Sequence, residues 1–529
     1  MLRWLSLGLA AACCLVLFRI GVTAPRHITL NANEGWNAYH AASVIAGQPL
    51  YPSPPGLVLT NYPPLSFYIV GALGRVVGDV MLAGRLLSLL SFVVWTIALA
   101  LTARRLGCWW DEAAFAAVLF AVYILVFADY YVGVNDPQLL AHGVAAFGPF
   151  ILLREPRSSG SLFVCALLFT ASIFVKHNLV AIPLACVVWL LWFDRPSGWR
   201  LMAFGALVGI AAFGACAVSF GPGFLEHLSS PRSWSIRKLV SMTREWIPLL
   251  VFPVAVLVIL ILRVGRDRRV AFGVTLAAIS ALVAVWSFSM AGVYWNAGFD
   301  AAWALCLTAA LALNHLPAVG RITAARLRAG LVAGYLAVPA AALAASATIH
   351  WGSPRFWLDP RWAEVDSTAR EIEFLGAHQG RALCENLALC YWAGKPAEID
   401  FFSMSERILS NPRYEDELLR LVETRRFGVA QIDDPRHDLG PRFEDAMTRH
   451  YVLDHKGRRL TGRLVREVER QPAREQFIED DAQGVDVCSN AHPLSANLLR
   501  AKASSPSAWA NAPRLLREAA IPSLSPSRR

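Results

Sequence analysis

The sequence predicts a mainly α, polytopic membrane protein with about eleven transmembrane helices, plus a small C-terminal α/β outer domain. Three observations carry this. The 529 residues are 56% hydrophobic and only 17% charged, where a soluble chain carries roughly 25% charge. Apolar runs of about 18 to 22 residues recur down to residue 349, each long enough to cross ~30 Å of hydrocarbon. Beyond that point the apolar runs shorten and charges become frequent.

The first run, 4–22, is longer than the ~7–15-residue apolar core of a signal peptide, and more runs follow it, so it reads as a span. Arg19 lies near its outer end, where the side chain can snorkel to water. The remaining spans are 79–103, 112–128, 136–153, 160–175, 178–193, 201–220, 247–263, 270–289, 293–313 and 328–348. Lys and Arg in short loops set the orientation. With the N-terminus in the cytoplasm, the cytoplasmic loops hold Arg104 and Arg105, Arg154 and Arg157, Arg195 and Arg200, Arg263 to Arg269, and Arg321 to Arg328. The opposite short loops hold one basic residue, Lys176. The net charge of +10 is thus largely topogenic, and nucleic acid is not expected as a partner. An odd number of spans puts the C-terminal part outside. With no organelle signal, the expected location is a bacterial plasma (inner) membrane with a periplasmic or extracellular C-terminal domain.

Three regions follow. Residues 1–349 form the membrane domain, with a long first outer loop at 23–78. This loop has a helical pattern at 34–47, a Pro- and Gly-rich corner at 52–64 and a short amphipathic stretch at 65–77. A second outer loop, 221–246, interleaves His227, Arg232, Arg237, Lys238 and Arg244 with Trp234, Ile236, Leu239 and Trp246. It reads either as an interfacial helix or as an attractor for an anionic lipid headgroup or diphosphate. Residues 350–470 show short strands at 381–384 and 427–432 and helices at 414–425 and 441–450, the order of a small α/β domain. Residues 471–529, rich in Ala, Ser, Pro and Arg, read as a disordered tail. None of the ten cysteines shows C-x-x-C spacing, so no zinc ribbon is indicated. Cys384, Cys390 and Cys488 could include a disulfide whose pairing stays open.

The orientation gathers Glu34, Asp136, Lys176, His177, Arg237, Lys238 and Asp300 at one face, and ionisable groups beside apolar spans are costly and often functional. Glu34 opens a helix, as an ordinary helix-start acid, a general base, or a ligand of a divalent cation. Asp136, in Asn135-Asp136-Pro137, is either a helix cap or a second reactive carboxylate. Lys176-His177 breaks two spans with almost no loop, and Lys176 could snorkel or meet a phosphate. Arg85 could snorkel or pair with an outer carboxylate.

The succession of a first span, Asn33-Glu34, Gly47-Gln48-Pro49-Leu50-Tyr51-Pro52, Asn61-Tyr62-Pro63-Pro64-Leu65 and Gly84-Arg85-Leu86-Leu87-Ser88 resembles the GT-C class of integral membrane glycosyltransferases. It is most similar to the protein O-mannosyltransferase and lipid A aminoarabinose transferase type. The segment Cys384-Glu385-Asn386 with Tyr391 to Lys395 resembles the outer domain of such proteins. The resemblance implies a polyprenyl-phosphate-linked sugar donor, and inverting transfer to a lipid, glycan or protein acceptor. It assigns Glu34, with Asp136 as the alternative, to the base. It matches Lys176 to a contact with the lipid phosphate, and the residues expected to bind substrate are Lys176, His177, Tyr62, Arg85, Arg237 and Lys238. No cofactor is called for with certainty, and a divalent metal near Glu34 stays open. The chain departs from the family at Asn33, where an Asp is expected, and at Tyr62, where a Lys precedes the paired prolines. Two other readings compete: a transporter or flippase, which would carry ionisable groups near the bilayer midplane, and a GT-C-like scaffold without activity.

Overall fold

A computed structural model describes residues 1–264, 266–316, 323–346, 362–432, 439–456 and 463–467. They form two compact units, divided between Asp366 and Ser367. The expected boundary near residue 349 and the 471–529 tail lie outside the described residues.

In the first unit, α1 (Leu2–Thr23) leads into two short helices of the first outer loop, α2 (Asn33–Ile45) and α3 (Leu65–Val77). Then come α4 (Val80–Arg105), α5 (Trp110–Phe127), α6 (Gln138–Ala145), α7 (Phe147–Leu152), α8 (Ser159–Val175) and α9 (Ala181–Phe193). The remainder are α10 (Arg195–Phe220), α11 (Pro222–Leu228), α12 (Ile236–Val264), α13 (Arg268–Phe288), α14 (Phe299–His315) and α15 (Ala324–Ser346). Among the described residues eight apolar stretches have at least 18 residues, enough to cross a bilayer, and Gln138–Leu152, Ser159–Val175 and Ala181–Phe193 are shorter apolar segments. Each of the eleven expected spans coincides with one of these. The chain is a multi-pass membrane protein.

Local chemistry explains where the helices start and break. Asp79 caps α4 by accepting from the N–H groups of Met81 and Leu82, and Asp194 and Asp267 cap α10 and α13 in the same way. Glu112 folds back to the Trp109 N–H at 2.9 Å to start α5. The expected span 136–153 is split into α6 and α7 because Pro149 has no N–H to offer the Ala145 carbonyl four residues back. The second outer loop is shorter than expected. Helix α12 already begins at Ile236 and runs without interruption into its apolar span.

Helices α5 and α14 form the centre of the bundle, where Phe115, Leu119, Phe120, Trp303, Leu307 and Leu311 are fully buried. Helix α10 exposes Leu207, Ile210 and Val218, the surface expected of a helix whose solvent is hydrocarbon.

The second unit begins within α16 (Trp362–Ala377) and contains α17 (Leu387–Trp392), α18 (Phe401–Ser410), α19 (Arg413–Glu423) and α20 (Pro441–His450). Its sheet has the order β1-β2-β4-β3. Here β1 (Arg381–Cys384) lies parallel to β2 (Phe427–Ile432). Strands β3 (Tyr451–Lys456) and β4 (Arg463–Glu467) complete it antiparallel. The parallel β1–β2 crossover through helices makes this an α/β unit. Cys384 is disulfide-bonded to Cys390, which resolves the open pairing; Cys488 lies outside the described residues.

Candidate active site

The site is built on a buried ion pair. Asp79 starts α4 so that Arg85, less than two turns on, points at the first outer loop. Arg85 Nε donates to Glu34 Oε1 at 2.8 Å and Nη2 to Oε2 at 2.8 Å. Its other N–H groups donate to the carbonyls of Ala24 (3.0 Å), Arg26 (2.7 Å) and Ile28 (2.6 Å). A guanidinium has five N–H donors, and all are used. Glu34 also accepts from the N–H groups of Leu30 (2.9 Å) and Asn135 (3.1 Å), so each carboxylate oxygen holds two donors. Glu34 is 0% and Arg85 1% exposed.

Glu34 therefore stands in a closed clamp. Every lone-pair direction of its carboxylate is occupied, which leaves none for a substrate proton. A divalent cation does not fit there either, because the guanidinium already fills the cationic position and would repel a second charge. Among the described residues no group of three or more His, Cys, Asp or Glu side chains could hold a metal. Arg85 is likewise held by the first loop and the clamp rather than offered as a substrate contact.

The clamp passes its geometry to the next residues. Besides the Asn135 N–H bond to Glu34 Oε1, Asn135 Nδ2 donates to the Glu34 carbonyl at 3.3 Å. Gly84 makes room for this: a Cβ there would sit 1.8 Å from Asn135 Oδ1. Gly84→Ala is expected to push Asn135 off the clamp and cost about 1–3 kcal/mol, read as a lower melting temperature with reduced turnover.

Asp136 adjoins this anchor. Its Oδ1 accepts from the Gln138 N–H and from Lys176 Nζ, both at 2.8 Å. Helix capping and lysine contact are thus met by the same oxygen. Oδ2 is buried with no hydrogen-bond partner among the described residues. Lys176 leaves α8 in an extended conformation, and its Nζ lies 5.0 Å from the Tyr62 ring centre. Burial alone would lower the Lys176 pKa, but Asp136 and Tyr62 outweigh it and hold the ammonium above its ordinary value. Lys176 is charged at neutral pH.

The Tyr62 ring also lies 6.0 Å from that of His177, whose side chain is exposed. Tyr62, Asp136, Lys176 and His177 thus form one cluster, joined to Glu34 and Arg85 through Asn135. Arg237 and Lys238 take other places. Arg237 is exposed at the start of α12, and Lys238 donates to the Met290 carbonyl below the Tyr294 ring.

Sequence reasoning missed the polar partners that fix this cluster. Asn296 Nδ2 donates to Gln138 Oε1 at 3.0 Å, and Gln138 Nε2 lies 2.7 Å from His142 Nε2. His142 stacks on Trp95 at 4.1 Å, and its Nδ1 lies 3.0 Å from Asp300 Oδ1, out of line for a hydrogen bond. Asp300 carried a signal, as an acid at a span end. Asn296 and Gln138 carried none.

The corner at 50–62 is pinned from two sides. Trp36 Nε1 donates to the Leu59 carbonyl at 3.0 Å, and Tyr51 Oη to the Tyr62 carbonyl at 2.7 Å. His227 Nδ1 accepts from the Thr60 N–H at 2.9 Å, so Nε2 carries the proton it gives to the Pro52 carbonyl at 2.9 Å. His227 is held neutral by this bonding pattern. His40, 3.2 Å from Thr60 Oγ1, is pushed down to about 3, with burial the largest cause. A depressed histidine contributes stability that is complete above the ordinary pKa of 6.5 and lost as pH falls toward 3. Acidification from pH 7 to 5 is therefore expected to cost about 2 kcal/mol through His40, read as a falling melting temperature. In His40→Gln the fall should be smaller.

A family described as "Dolichyl-phosphate-mannose-protein mannosyltransferase" matches residues 61–219, the stretch from the Tyr62 corner through Asp136 and Lys176. Among solved structures, ArnT from Cupriavidus metallidurans in the apo state superposes with a TM-score of 0.57 at 14% identity, covering 88% of this chain and 98% of that one. The chain has the GT-C fold. The same ArnT bound to undecaprenyl phosphate gives a TM-score of 0.55 with the same identity and coverage. No curated protein matches the sequence. The family and these neighbours of the GT-C chain are glycosyltransferases.

Proposed function

We propose that this GT-C chain is an inverting glycosyltransferase that moves a sugar from a polyprenyl-phosphate donor to a hydroxyl acceptor at the outer face of a bacterial plasma membrane. The observation that carries this is the buried Asp136–Lys176 pair, closed at 2.8 Å on Oδ1 and free on Oδ2. One carboxylate oxygen is fixed and oriented, while the other is open to take a proton. Beside it is a charged ammonium, which suits a departing phosphate. The likeness to an ArnT that binds undecaprenyl phosphate supports the choice of donor.

In this reading Asp136 Oδ2 removes the proton from the acceptor hydroxyl. The oxygen attacks the anomeric carbon from the face opposite the phosphate, and the lipid phosphate leaves toward Lys176. Tyr62 and His177 line the approach, and the exposed Arg237 serves the headgroup region of the surrounding lipid, while Lys238 stays on the Met290 carbonyl. Glu34 and Arg85 are positioning residues that hold Asn135 and Asp136. The Cys384–Cys390 disulfide supports an oxidising, outer location for the second unit, in keeping with the positive-inside assignment.

Binding of undecaprenyl phosphate to the full chain in lipid nanodiscs tests the donor. Saturable binding is expected, weakened roughly tenfold or more in Lys176→Met, since a hydrogen bond to a charged group contributes about 1.5–3 kcal/mol. Absence of saturable binding to the wild type would overturn the proposal.

A further inference from the structure

Two buried polar atoms face each other without bonding. His142 Nδ1 and Asp300 Oδ1 are 3.0 Å apart, yet neither has a hydrogen-bond partner among the described residues. Their residues are 1% and 6% exposed. Which of the two His142 nitrogens carries the proton follows from a chain of bonds that begins at a backbone group.

The Tyr294 N–H can only donate, and it donates to Asn296 Oδ1 at 3.1 Å. That bond fixes the Asn296 amide, so Nδ2 is the end that faces Gln138. The atom it meets at 3.0 Å must accept and is Gln138 Oε1. Gln138 then presents its donor, Nε2, to His142 Nε2 at 2.7 Å. His142 Nε2 must accept, so the ring carries its proton on Nδ1, the atom nearest Asp300. Each choice is forced by the one before it. In the reverse sense Asn296 Nδ2 would meet the Tyr294 N–H, donor against donor. Trp95 stacks on the imidazole at 4.1 Å and 6° from parallel, which fixes the plane of the ring.

The chain acts on the site through Gln138, the first residue of α6. Its side chain is gripped at both ends, by the turn Trp295–Gly298 that leads into α14 and by His142 one turn along α6. Its backbone N–H is the donor that holds Asp136 Oδ1 at 2.8 Å, the oxygen shared with Lys176. The grip on the side chain therefore sets the direction of the N–H that orients the carboxylate.

We infer that Asn296, Gln138 and His142 are positioning residues of the Asp136–Lys176 pair, joined in a one-way hydrogen-bond chain whose sense is set by the Tyr294 N–H and whose last proton stands on His142 Nδ1. None of the three acts on the reacting atoms. The part that the pair plays in catalysis rests on the transfer reaction proposed above, whereas the sense of the chain does not.

Solid-state NMR of the full chain in lipid nanodiscs tests both parts, with ¹⁵N in His and Lys side chains and ¹³C in Asp carboxylates. The His142 signals are identified by their loss in His142→Gln. A bare Nε2 and a protonated Nδ1 are expected, and a protonated Nε2 in the wild type overturns the chain. Gln138→Glu offers His142 an acceptor in place of a donor. Asn296→Asp does so indirectly, because Gln138 must then turn its amide. Both are expected to bring a proton onto His142 Nε2, and a ring that stays as in the wild type in both overturns the chain. The contact between Lys176 Nζ and the Asp136 carboxylate is read in the same spectra. It is expected to be lost in Gln138→Ala and Asn296→Ala, and kept in Gln138→Glu, which still accepts from Asn296 and can accept from His142. Asn296→Ala removes fewer bonds and decides the point if Gln138→Ala does not fold. Alanine variants that melt lower but keep the contact would make the chain a structural tie and overturn the positioning role. Undecaprenyl phosphate binding is measured on the same samples. Its absence from the wild type would defeat the transferase reading, while the spectra still decide whether the chain orients the pair.

Discussion

Arg85→Met is expected to prevent accumulation of folded protein. The substitution leaves Glu34 charged and fully buried, and removes five N–H bonds at once. Three of those five hold carbonyls of the segment joining α1 to α2. Breaking a buried ion pair from one side costs about 3–5 kcal/mol, a large part of the ~5–15 kcal/mol that separates native from unfolded states. Removing both charges in Glu34→Gln/Arg85→Met should recover part of this, because no buried charge is then left alone. The series also separates two roles for Glu34. A base can be neutralised with its fold intact, so Glu34→Gln would melt like the wild type and merely fail to turn over. A clamp loses both together. Size-exclusion profiles and melting curves of the single and double variants measure this. A Glu34→Gln protein with wild-type melting and no activity would return Glu34 to the base role.

The parts that were legible in the sequence depend on local physics. The spans could be read because each must bury some twenty residues in hydrocarbon, and lysines and arginines mark their ends. The pairing of Arg85 with an outer carboxylate could be foreseen as one of two choices, because few charges face that side. What could not be foreseen was its saturation. Glu34 looks reactive as a carboxylate beside a span. It becomes structural only when the carbonyls of Ala24, Arg26 and Ile28 and the N–H of Asn135, a hundred residues on, are counted around it. Helix α12 was read as a loop followed by a span because charged Arg237, Lys238 and Arg244 interrupt the hydropathy. They do not interrupt the helix, since Lys and Arg are good helix formers. The strands β3 and β4 were missed because charged residues, Asp454 and Lys456 in one and Arg463, Arg466 and Glu467 in the other, leave neither a clear apolar run.

Asp136→Asn is expected to lower turnover by about 10²–10⁴-fold, the range for losing a general base, while the protein stays folded. Stability should fall by less than the ~3–5 kcal/mol of a fully broken buried ion pair, because the asparagine oxygen can still accept from the Gln138 N–H and from Lys176 Nζ, the two bonds now made by Oδ1. What is lost is the basic oxygen, so kcat should fall while the donor KM changes little, the signature of an interaction made in the transition state. Lys176→Met should behave differently. It removes the charge proposed to hold the lipid phosphate in both the ground state and the transition state, so donor KM should rise as kcat falls. It also frees Asp136 Oδ1, which leaves a buried carboxylate without its counter-ion and should lower the melting temperature more than Asp136→Asn does. The comparison is informative because the two residues form one ion pair and yet are assigned separate tasks. If both variants reduced activity only in proportion to lost folded protein, the pair would be a structural bridge, and the base would have to be sought elsewhere on the outer face.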